Sequence, residues 1–543
     1  MGKRWYSVWD PDIPKSFEPE KPLPDYLRDT AMSIPNRIAV NFYGFEMTYK
    51  ELDDAMDRFA VGLADLGMKR GDRVAVYMGN CPQFVISYFG ILRAGGIVVA
   101  LNPMFKHVEL EYEMNDSGAE MLVASDLLYT EVAKIKDRVK LKHVILTSLR
   151  DFLPPKPTLP LPSEAEQPKQ IIPGTLDFLE LFRKSPMKPP RDLINLKKDL
   201  ALLQYTGGTT GLPKGAMLTH YSLTYAVIAS VLWFKYTKDD VHLGITPFFH
   251  IMGMLHMCSQ FVSGGQVIIL VRFSPDAVAK AISQYKCTTF LPAPTAFIAL
   301  LGWPDIKEYD FSSLRCLISG GASIPLEIQT KMKKLAPNAV IGEGYGLTET
   351  LAQGGLLTPL HRYKAGFVGI PEIGTDMKIV DLETGSKELA PNEEGEILIK
   401  GPTVMRGYWN KPRETSEVLK EGWLYTGDIG LMDEEGYIRI VGRKKELIKC
   451  SGFSVFPSEV EGLLYKHPAI AEVAVIGVPD PYRGEAPKAF IVLKAEYKGK
   501  VNEGEIIEWS KENMAAYKRP QTIEFCDKLP KSAAGKILRR LLT

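Results

Sequence analysis

A chain of 543 residues, 45% hydrophobic and 24% charged, has the composition of an ordinary globular enzyme, long enough for about two to four folding units with cores of their own. With 66 basic against 65 acidic residues, the net charge of +1 offers no field for a polyanion, which excludes nucleic acid as the expected partner and favours small molecules. The six cysteines (Cys81, Cys258, Cys287, Cys316, Cys450, Cys526) stand far apart with no C-x-x-C pair, which excludes a disulfide framework or zinc ribbon, and the Met-Gly-Lys-Arg-Trp start lacks a secretory apolar core, so a reducing, cytoplasmic location is expected.

Thr48 and Glu51 have capping-box spacing, and Leu52, Met56, Phe59, Leu63 and Leu66 follow at helical period until Gly67, which predicts a helix. After a turn at Gly71-Asp72 come the apolar run Val74 to Met78, a helix opening near Asn80-Cys81-Pro82, and a second apolar run from Ile97 to Leu101. The stretch Phe84 to Phe105 is broken by Arg93 and Gly95-Gly96, which suits a buried helix and strand better than a membrane span. Met121 to Ala124 reads as a further buried strand, with Ser125-Asp126 as the cap of the next element. The alternation implies an α/β fold with a mostly parallel sheet. Proline-rich stretches at 151–175 and Ser185–Arg191 then end a first subdomain near residue 190. From Leu200 to about Asp428 strands and glycine-rich turns dominate, and beyond Asp433 a fresh set begins, with strands near Val473 to Ile476 and Ala489 to Leu493. The expected organisation is a large N-terminal domain of layered sheets and helices, 1–432 with subdomains of about 1–190 and 191–432, and a small α+β domain, 433–543.

The strongest chemical signal is Tyr205-Thr206-Gly207-Gly208-Thr209-Thr210-Gly211-Leu212-Pro213-Lys214-Gly215, which follows the apolar run Leu200 to Leu203. Glycines let backbone N–H groups approach phosphate oxygens, threonine hydroxyls add donors, and the lysine adds charge. The common P-loop needs Gly-Lys-Ser/Thr opening a helix, whereas Lys214 lies between Pro213 and Gly215, so this is a phosphate-gripping loop of another kind. Tyr345 between two glycines offers a flat face to a purine, and Asp428 in Thr-Gly-Asp can accept from a ribose diol, although alone it would serve equally to cap a turn. His250 and His256 are six apart with no carboxylate beside them, which argues against a metal there.

The Tyr205–Gly215 run, with Ser319-Gly320-Gly321-Ala322, Gly344-Tyr345-Gly346-Leu347-Thr348-Glu349, Tyr425-Thr426-Gly427-Asp428, Gly442-Arg443-Lys444-Lys445 and Pro530-Lys531-Ser532-Ala533-Ala534-Gly535-Lys536-Ile537, resembles the ordered motifs of the adenylate-forming superfamily of acyl-CoA synthetases, luciferases and peptide-synthetase adenylation domains. The matches span residues 205 to 537, and the full-length pattern is most similar to fatty acyl-CoA synthetases of medium to long chain. The resemblance implies ATP, Mg²⁺ and coenzyme A as cofactor and co-substrates, an acyl-AMP intermediate, and a mobile small domain that turns about a hinge at Lys445. It also implies site residues. Lys536, Glu349, Thr206 and Lys445 would be catalytic, with Thr206 and Glu349 holding Mg²⁺. Thr206, Gly207, Gly208, Thr209, Thr210, Gly211, Lys214, Gly321, Ala322, Glu343, Gly344, Tyr345, Thr348, Asp428, Arg443, Lys445, Lys449 and Lys536 would bind the nucleotide. His250, Met254, Gly320 and Gly346 would line the acyl pocket, and Lys449, Ser451 and Gly452 would meet coenzyme A, which brings its own thiol.

Lys536 would stabilise the five-coordinate phosphorus of the first step, a role that its neighbours Lys531, Arg539 and Arg540 do not suggest by charge pattern. Some long-chain members carry a gating tryptophan shortly after the histidine; here Met254 and Leu255 occupy that stretch, which leaves chain length open. Two other readings stay open: an aryl-acid ligase of the coumarate type and a non-catalytic nucleotide sensor. An amino-acid adenylation domain is disfavoured because the chain ends at Thr543, a few residues past the lysine motif, with no carrier domain. Oligomer formation and peripheral membrane contact stay open.

Overall fold

The computed structural model describes residues 3–184, 194–206, 212–320, 324, 326–352, 356–357, 362–364, 366–451, 453–532 and 536–542. Its first helix in the α/β region, Tyr49–Asp65, starts at the expected capping box: Thr48 accepts from the Glu51 backbone, and Glu51 returns the bond at 2.8 Å. The strands Arg73–Tyr77 and Ile97–Ala100 pair in parallel around the helix Pro82–Arg93, whose residues are all buried. Ser125 does not cap as expected. Its side chain makes no capping bond, and Asp126 instead accepts from the backbones of Leu127 at 2.9 Å and Gln170 at 2.8 Å.

Among the described residues, one sheet of seven strands runs Leu176–Asp177, His143–Thr147, Met121–Ser125, Arg73–Tyr77, Ile97–Ala100, Leu200–Tyr205, Gly215–Thr219. A second sheet of nine places Ile38–Phe42 beside Gln266–Ile269 and carries Cys316–Gly320 and Val340–Tyr345 side by side in parallel. Strand pairing therefore crosses the subdomain boundary expected near residue 190 in both directions: residues 38–48 join the later sheet and residues 200–219 the earlier one. Sequence adjacency does not decide this, because parallel partners are brought together only by burying both faces. The helix Pro82–Arg93 fills the apolar core shared by both sheets, and Asn80 at its entry donates to the Gly244 and Thr246 carbonyls and accepts from Phe248 N–H at 2.8 Å.

A five-stranded antiparallel sheet follows, and the hairpin Trp423–Met432 with Ile438–Arg443 carries the chain well past 433 before it leaves that sheet. The change of sheet falls in the turn Lys444–Glu446; among the described residues, the strands from Ile448 onward pair only with one another and enclose a separate core under the helices Pro457–Leu464 and Glu503–Asn513. The large and small domains meet where Ser458 Oγ donates to the Val441 carbonyl and Phe456 lies over Gly442, where a Cβ would come within 2.7 Å of its ring. No helix among the described residues is long and apolar enough to cross a membrane.

Candidate active site

The strands Leu200–Tyr205 and Gly215–Thr219 form an antiparallel hairpin that presents the glycine- and threonine-rich loop. Gly207, Gly208, Thr209, Thr210 and Gly211 lie outside the described residues. Both shoulders are described: Thr206 N–H donates to the Lys214 carbonyl at 3.0 Å, and a Cβ on Gly215 would come within 3.2 Å of the Tyr205 ring. A strap at 405–409 crosses this hairpin, with Arg406 N–H on the Met217 carbonyl at 2.9 Å and Trp409 N–H on the Gly215 carbonyl at 2.8 Å. The same strap grips Glu349: Met405 N–H donates to its carbonyl at 2.8 Å and Tyr408 Oη to its Oε1 at 2.6 Å. Lys214 Nζ lies 4.8 Å from the Tyr408 ring centroid. Tyr408 was not legible as a site residue, although Arg406-Gly407-Tyr408-Trp409, an aromatic pair after a glycine, is the signal that marks it.

Glu349 keeps Oε2 without a hydrogen-bond partner among the described residues, and Thr206 adds a half-buried hydroxyl. One carboxylate and one hydroxyl are hard oxygen donors of the kind that suits Mg²⁺, which takes few protein ligands and completes its shell with phosphate and water. Among the described residues no group of three His, Cys, Asp or Glu side chains is placed to hold a metal ion.

The wall expected to meet the nucleotide is built on the paired strand ends Gly320 and Gly344. Tyr345 Oη donates to Asp428 Oδ2 at 2.5 Å, and Arg443 Nε lies 2.8 Å from Asp428 Oδ1, so one buried carboxylate fixes both the ring and the guanidinium. Burial raises the Asp428 carboxyl above the usual carboxylate range, with Arg443 and the Tyr345 hydroxyl pulling it the other way. Glu343 is buried, and its Oε1 accepts from Ile324 N–H at 2.9 Å and Gln329 Nε2 at 3.2 Å; Gly321 and Ala322 lie outside the described residues. Thr348 and Glu349 sit in a single 3₁₀ turn, after which Leu351 and Ala352 take left-handed φ values of 59° and 57°. That turn brings the Ala352 carbonyl so close to Gly346 that a Cβ there would stand 1.6 Å from its oxygen.

His250 caps the helix Ile251–Ser263, accepting from Met252 N–H at 3.4 Å. Burial, and secondarily the positive charge of Lys536, push its imidazole down to about 4. Met254 is 1% exposed and receives the Tyr88 hydroxyl on its sulfur at 3.1 Å. The methionine beside the nucleotide wall is Met252, whose Sδ lies 2.9 Å from where a Cβ on Gly320 would stand. Sequence reading passed over Met252; the helix start at Ile251 puts it on the exposed side of the first turn and sends Met254 inward.

The small domain contributes Lys536, in a turn closed by Ser532 N–H on the Lys536 carbonyl at 2.7 Å and Lys536 N–H on Ser532 Oγ at 3.2 Å. Burial, then the Arg443 charge, lower the Lys536 ammonium below the usual lysine range, while Asp428 and Glu446 counter them. Lys536, Asp428, Arg443 and His250 thus share one electrostatic neighbourhood, formed across the domain boundary. Lys445 and Lys449 are exposed, and Lys449 N–H donates to Glu485 at 2.7 Å. Ser451 takes a left-handed φ of 52° with its N–H on the Arg483 carbonyl at 2.8 Å; Gly452 lies outside the described residues. Lys445 lies within the turn Lys444–Glu446, and Lys449 and Ser451 follow it in the chain.

Residues 27–409 match the family model described as AMP-binding enzyme, and residues 459–536 that of the AMP-binding enzyme C-terminal domain. A long-chain-fatty-acid–CoA ligase of Bacillus subtilis (strain 168) is 41% identical over 99% of this chain and 97% of its own length. One of the same name from Escherichia coli O6:H1 is 36% identical over 100% and 98%. Among solved structures, an anthranilate CoA ligase in complex with anthranoyl-AMP superposes with a TM-score of 0.85 at 28% identity, over 97% of each chain.

Proposed function

The chain belongs to the AMP-binding enzyme family as an AMP-forming acid–CoA ligase, and from that premise we propose that its acid is a fatty acid of medium to long chain. Full-length identity of 36–41% to two ligases named for long-chain fatty acids supports the substrate class. The observation that carries the chemistry is the bonded group Tyr345–Asp428–Arg443 of the large domain, whose charges act on the Lys536 ammonium of the small one.

In the first step a carboxylate oxygen attacks the α-phosphorus of ATP and the bond to pyrophosphate breaks. Lys536 binds the charge that accumulates on the phosphoryl oxygens, more tightly in the transition state than before it. Thr206 and Glu349 are the residues to hold Mg²⁺, which supplies charge neutralisation at the phosphates when bound. Asp428 still has lone pairs for ribose hydroxyls, and Tyr345, fixed by its bond to that carboxylate, offers its ring to the purine. His250 stays neutral near pH 7, so it offers a hydrogen bond beside the acyl group without adding charge. Met252, unbranched and polarizable, shapes the wall at Gly320.

In the second step the small domain turns about Lys445, withdraws Lys536, and brings Lys449, Ser451 and Gly452 toward coenzyme A, whose thiolate attacks the acyl carbon and releases AMP. An aryl acid is the second reading, favoured by the likeness to the anthranilate ligase. Pyrophosphate release across straight-chain and cinnamate-type acids, each with and without coenzyme A, separates them. A maximum among the straight chains supports the proposal, aryl acids at the top replace it, and no release with any acid refutes the chemistry.

A further inference from the structure

Lys536 stands on a segment that the rest of the small domain holds by side chains. Among the described residues, the backbone hydrogen bonds of 530–542 close within that segment: Leu538 N–H on the Pro530 carbonyl at 2.9 Å, Ser532 N–H on the Lys536 carbonyl at 2.7 Å, and Leu542 N–H on the Arg539 carbonyl at 3.0 Å. Ile537 and Leu542 pack against Ala474, Phe490 and Leu529, and Lys531 Nζ donates to Glu472 Oε1 at 2.6 Å. Arg539, three residues past Lys536, reaches furthest. Its Nη1 donates to Glu446 Oε2 at 2.9 Å, its Nη2 to Glu461 Oε2 at 2.8 Å and Oε1 at 3.0 Å, and its Nε to Glu461 Oε1 at 3.2 Å. Both partners lead to the domain boundary. Glu446 ends the turn Lys444–Glu446, and Glu461 lies on the helix Pro457–Leu464, which meets the large domain through Ser458. Glu461 is itself pinned, since its Oε1 accepts Val475 N–H at 2.8 Å. The Arg539, Glu446 and Glu461 side chains are 22%, 21% and 11% exposed, so these charged bonds are shielded, and a planar fork on three carboxylate oxygens fixes a direction that a point charge does not.

We propose that Arg539 is a positioning residue for the adenylation step: it ties the Lys536 segment to the turn between the domains and to the helix at their boundary, and so sets where the Lys536 ammonium stands. Its fork is engaged by the two carboxylates, and it acts on the reaction only through Lys536. Two residues separate Lys536 from Arg539, one of them the apolar anchor Ile537, so a segment that pivots about that anchor carries the ammonium with it. The bonds inside the segment survive loss of Arg539, since none of them uses its side chain. What changes is the direction of the segment against the turn, and a displacement of about 1 Å at a reacting group costs up to about 10²-fold in rate. The thioester step, from which Lys536 is withdrawn, does not depend on that direction.

The inference rests on the reading that Lys536 serves the adenylation step, and the test distinguishes failure of one from failure of the other. Pyrophosphate release with the acid that gives the fastest rate, thioester formation from supplied acyl adenylate and coenzyme A, and melting temperature are measured for Arg539→Lys, Arg539→Gln, Glu446→Gln, Lys536→Ala and the double variant Lys536→Ala/Arg539→Gln. Lysine keeps the charge without the fork, so Arg539→Lys slows pyrophosphate release about 10-fold and Arg539→Gln up to about 10²-fold, as a fall in kcat with the KM for ATP within about twofold. Glu446→Gln, which leaves the Glu461 pair, is slowed less than Arg539→Gln. Thioester formation stays within about twofold in all three. Because Arg539 acts through Lys536, the double variant is no slower in pyrophosphate release than Lys536→Ala alone. If Arg539→Gln slows the Lys536→Ala enzyme by its full factor, or if both steps fall together with the melting temperature in Arg539→Lys and Glu446→Gln, the ion pairs are structural only and the proposal is overturned. If Lys536→Ala itself leaves pyrophosphate release unchanged, the underlying reading of Lys536 falls and the inference with it.

Discussion

Replacing Lys536 with alanine removes a small-domain ammonium that feels the charges of Asp428 and Arg443. Loss of a preorganised donor to a developing oxyanion costs about 10²–10³ in rate, and that loss is expected in pyrophosphate release alone. Conversion of supplied acyl adenylate to thioester should remain within a few-fold, because Lys536 acts only on the five-coordinate phosphorus. The direction of its shift adds a pH signature. Burial lowers the ammonium, so it loses its proton as pH rises through a value below that of an ordinary lysine. Adenylation should therefore decline on the alkaline side earlier than the thioester step does. Lys536→Arg keeps its charge and should flatten that limb at reduced rate. Stopped-flow pyrophosphate release and single-turnover thioester formation from pH 6.5 to about 10 make the comparison. Equal loss of both steps in Lys536→Ala, or an alkaline limb that survives in Lys536→Arg, would refute the assignment.

Three further outcomes are expected. Lys445→Pro stiffens the turn between the domains and should slow thioester formation about tenfold or more, the effect of roughly 1.4 kcal/mol on a rotation barrier, with pyrophosphate release unchanged; an unchanged coenzyme A-dependent rate removes the hinge from this position. Gly346→Ala places a methyl 1.6 Å from the Ala352 carbonyl, so the turn carrying Glu349 must shift, and adenylation should fall by about 10²-fold; retention of more than half the activity contradicts the packing. Glu372 is 1% exposed, neither carboxyl oxygen has a hydrogen-bond partner among the described residues, and burial holds it well above the carboxylate range. Its folded pKa exceeds its unfolded value near about 4.3, so the protein is penalised progressively as pH rises above that value. Glu372→Met should stabilise by about 1–3 kcal/mol at pH 8 and much less at pH 4, read by thermal melts, and a gain independent of pH would exclude the carboxyl as its source.

Local elements were legible because their signals are local. The capping box at Thr48 and Glu51, the proline at the start of Pro82–Arg93 and the apolar runs of the central strands are all found where the residues put them. Long-range pairing was not. Nothing between Ile38 and Phe42 announces a partner at Val267 to Ile269, since any buried apolar strand would satisfy that edge. The motif residues Tyr345, Asp428 and Arg443 come together as one bonded group, but that Tyr345 donates to Asp428 depends on two sheets meeting. With His250 as the cap, the helix start turns Met254 into the core and leaves Met252 against Gly320, a difference that depends on where the helix begins. Tyr408 is marked in the sequence only by the aromatic pair after Gly407, and its role follows from the Glu349 carboxylate it holds.

The electrostatics at the domain boundary suggest why the small domain would alternate rather than stay closed. Burying an ammonium is unfavourable unless negative charge accompanies it, and beside Lys536 the Arg443 guanidinium already engages Asp428. ATP brings negative charge to that position and favours closure. Departure of pyrophosphate removes most of it, so the same ammonium then favours opening. Lys444 remains with the large domain through its 2.9 Å ion pair to Glu396, whose other oxygen accepts from Gly427 N–H at 3.1 Å beside Asp428. On the other side, Arg539 binds Glu446 at 2.9 Å and Glu461 at 2.8 Å. The two ion-paired groups flank Lys445, where we propose that the backbone turns. Raising ionic strength should therefore weaken closure in the ATP-bound state more than in the adenylate-bound state, because only the former depends on the full phosphate charge. Small-angle scattering of the two complexes at about 0.05 and 0.5 M salt reads this, and identical salt responses would mean that charge on the nucleotide does not drive the turn.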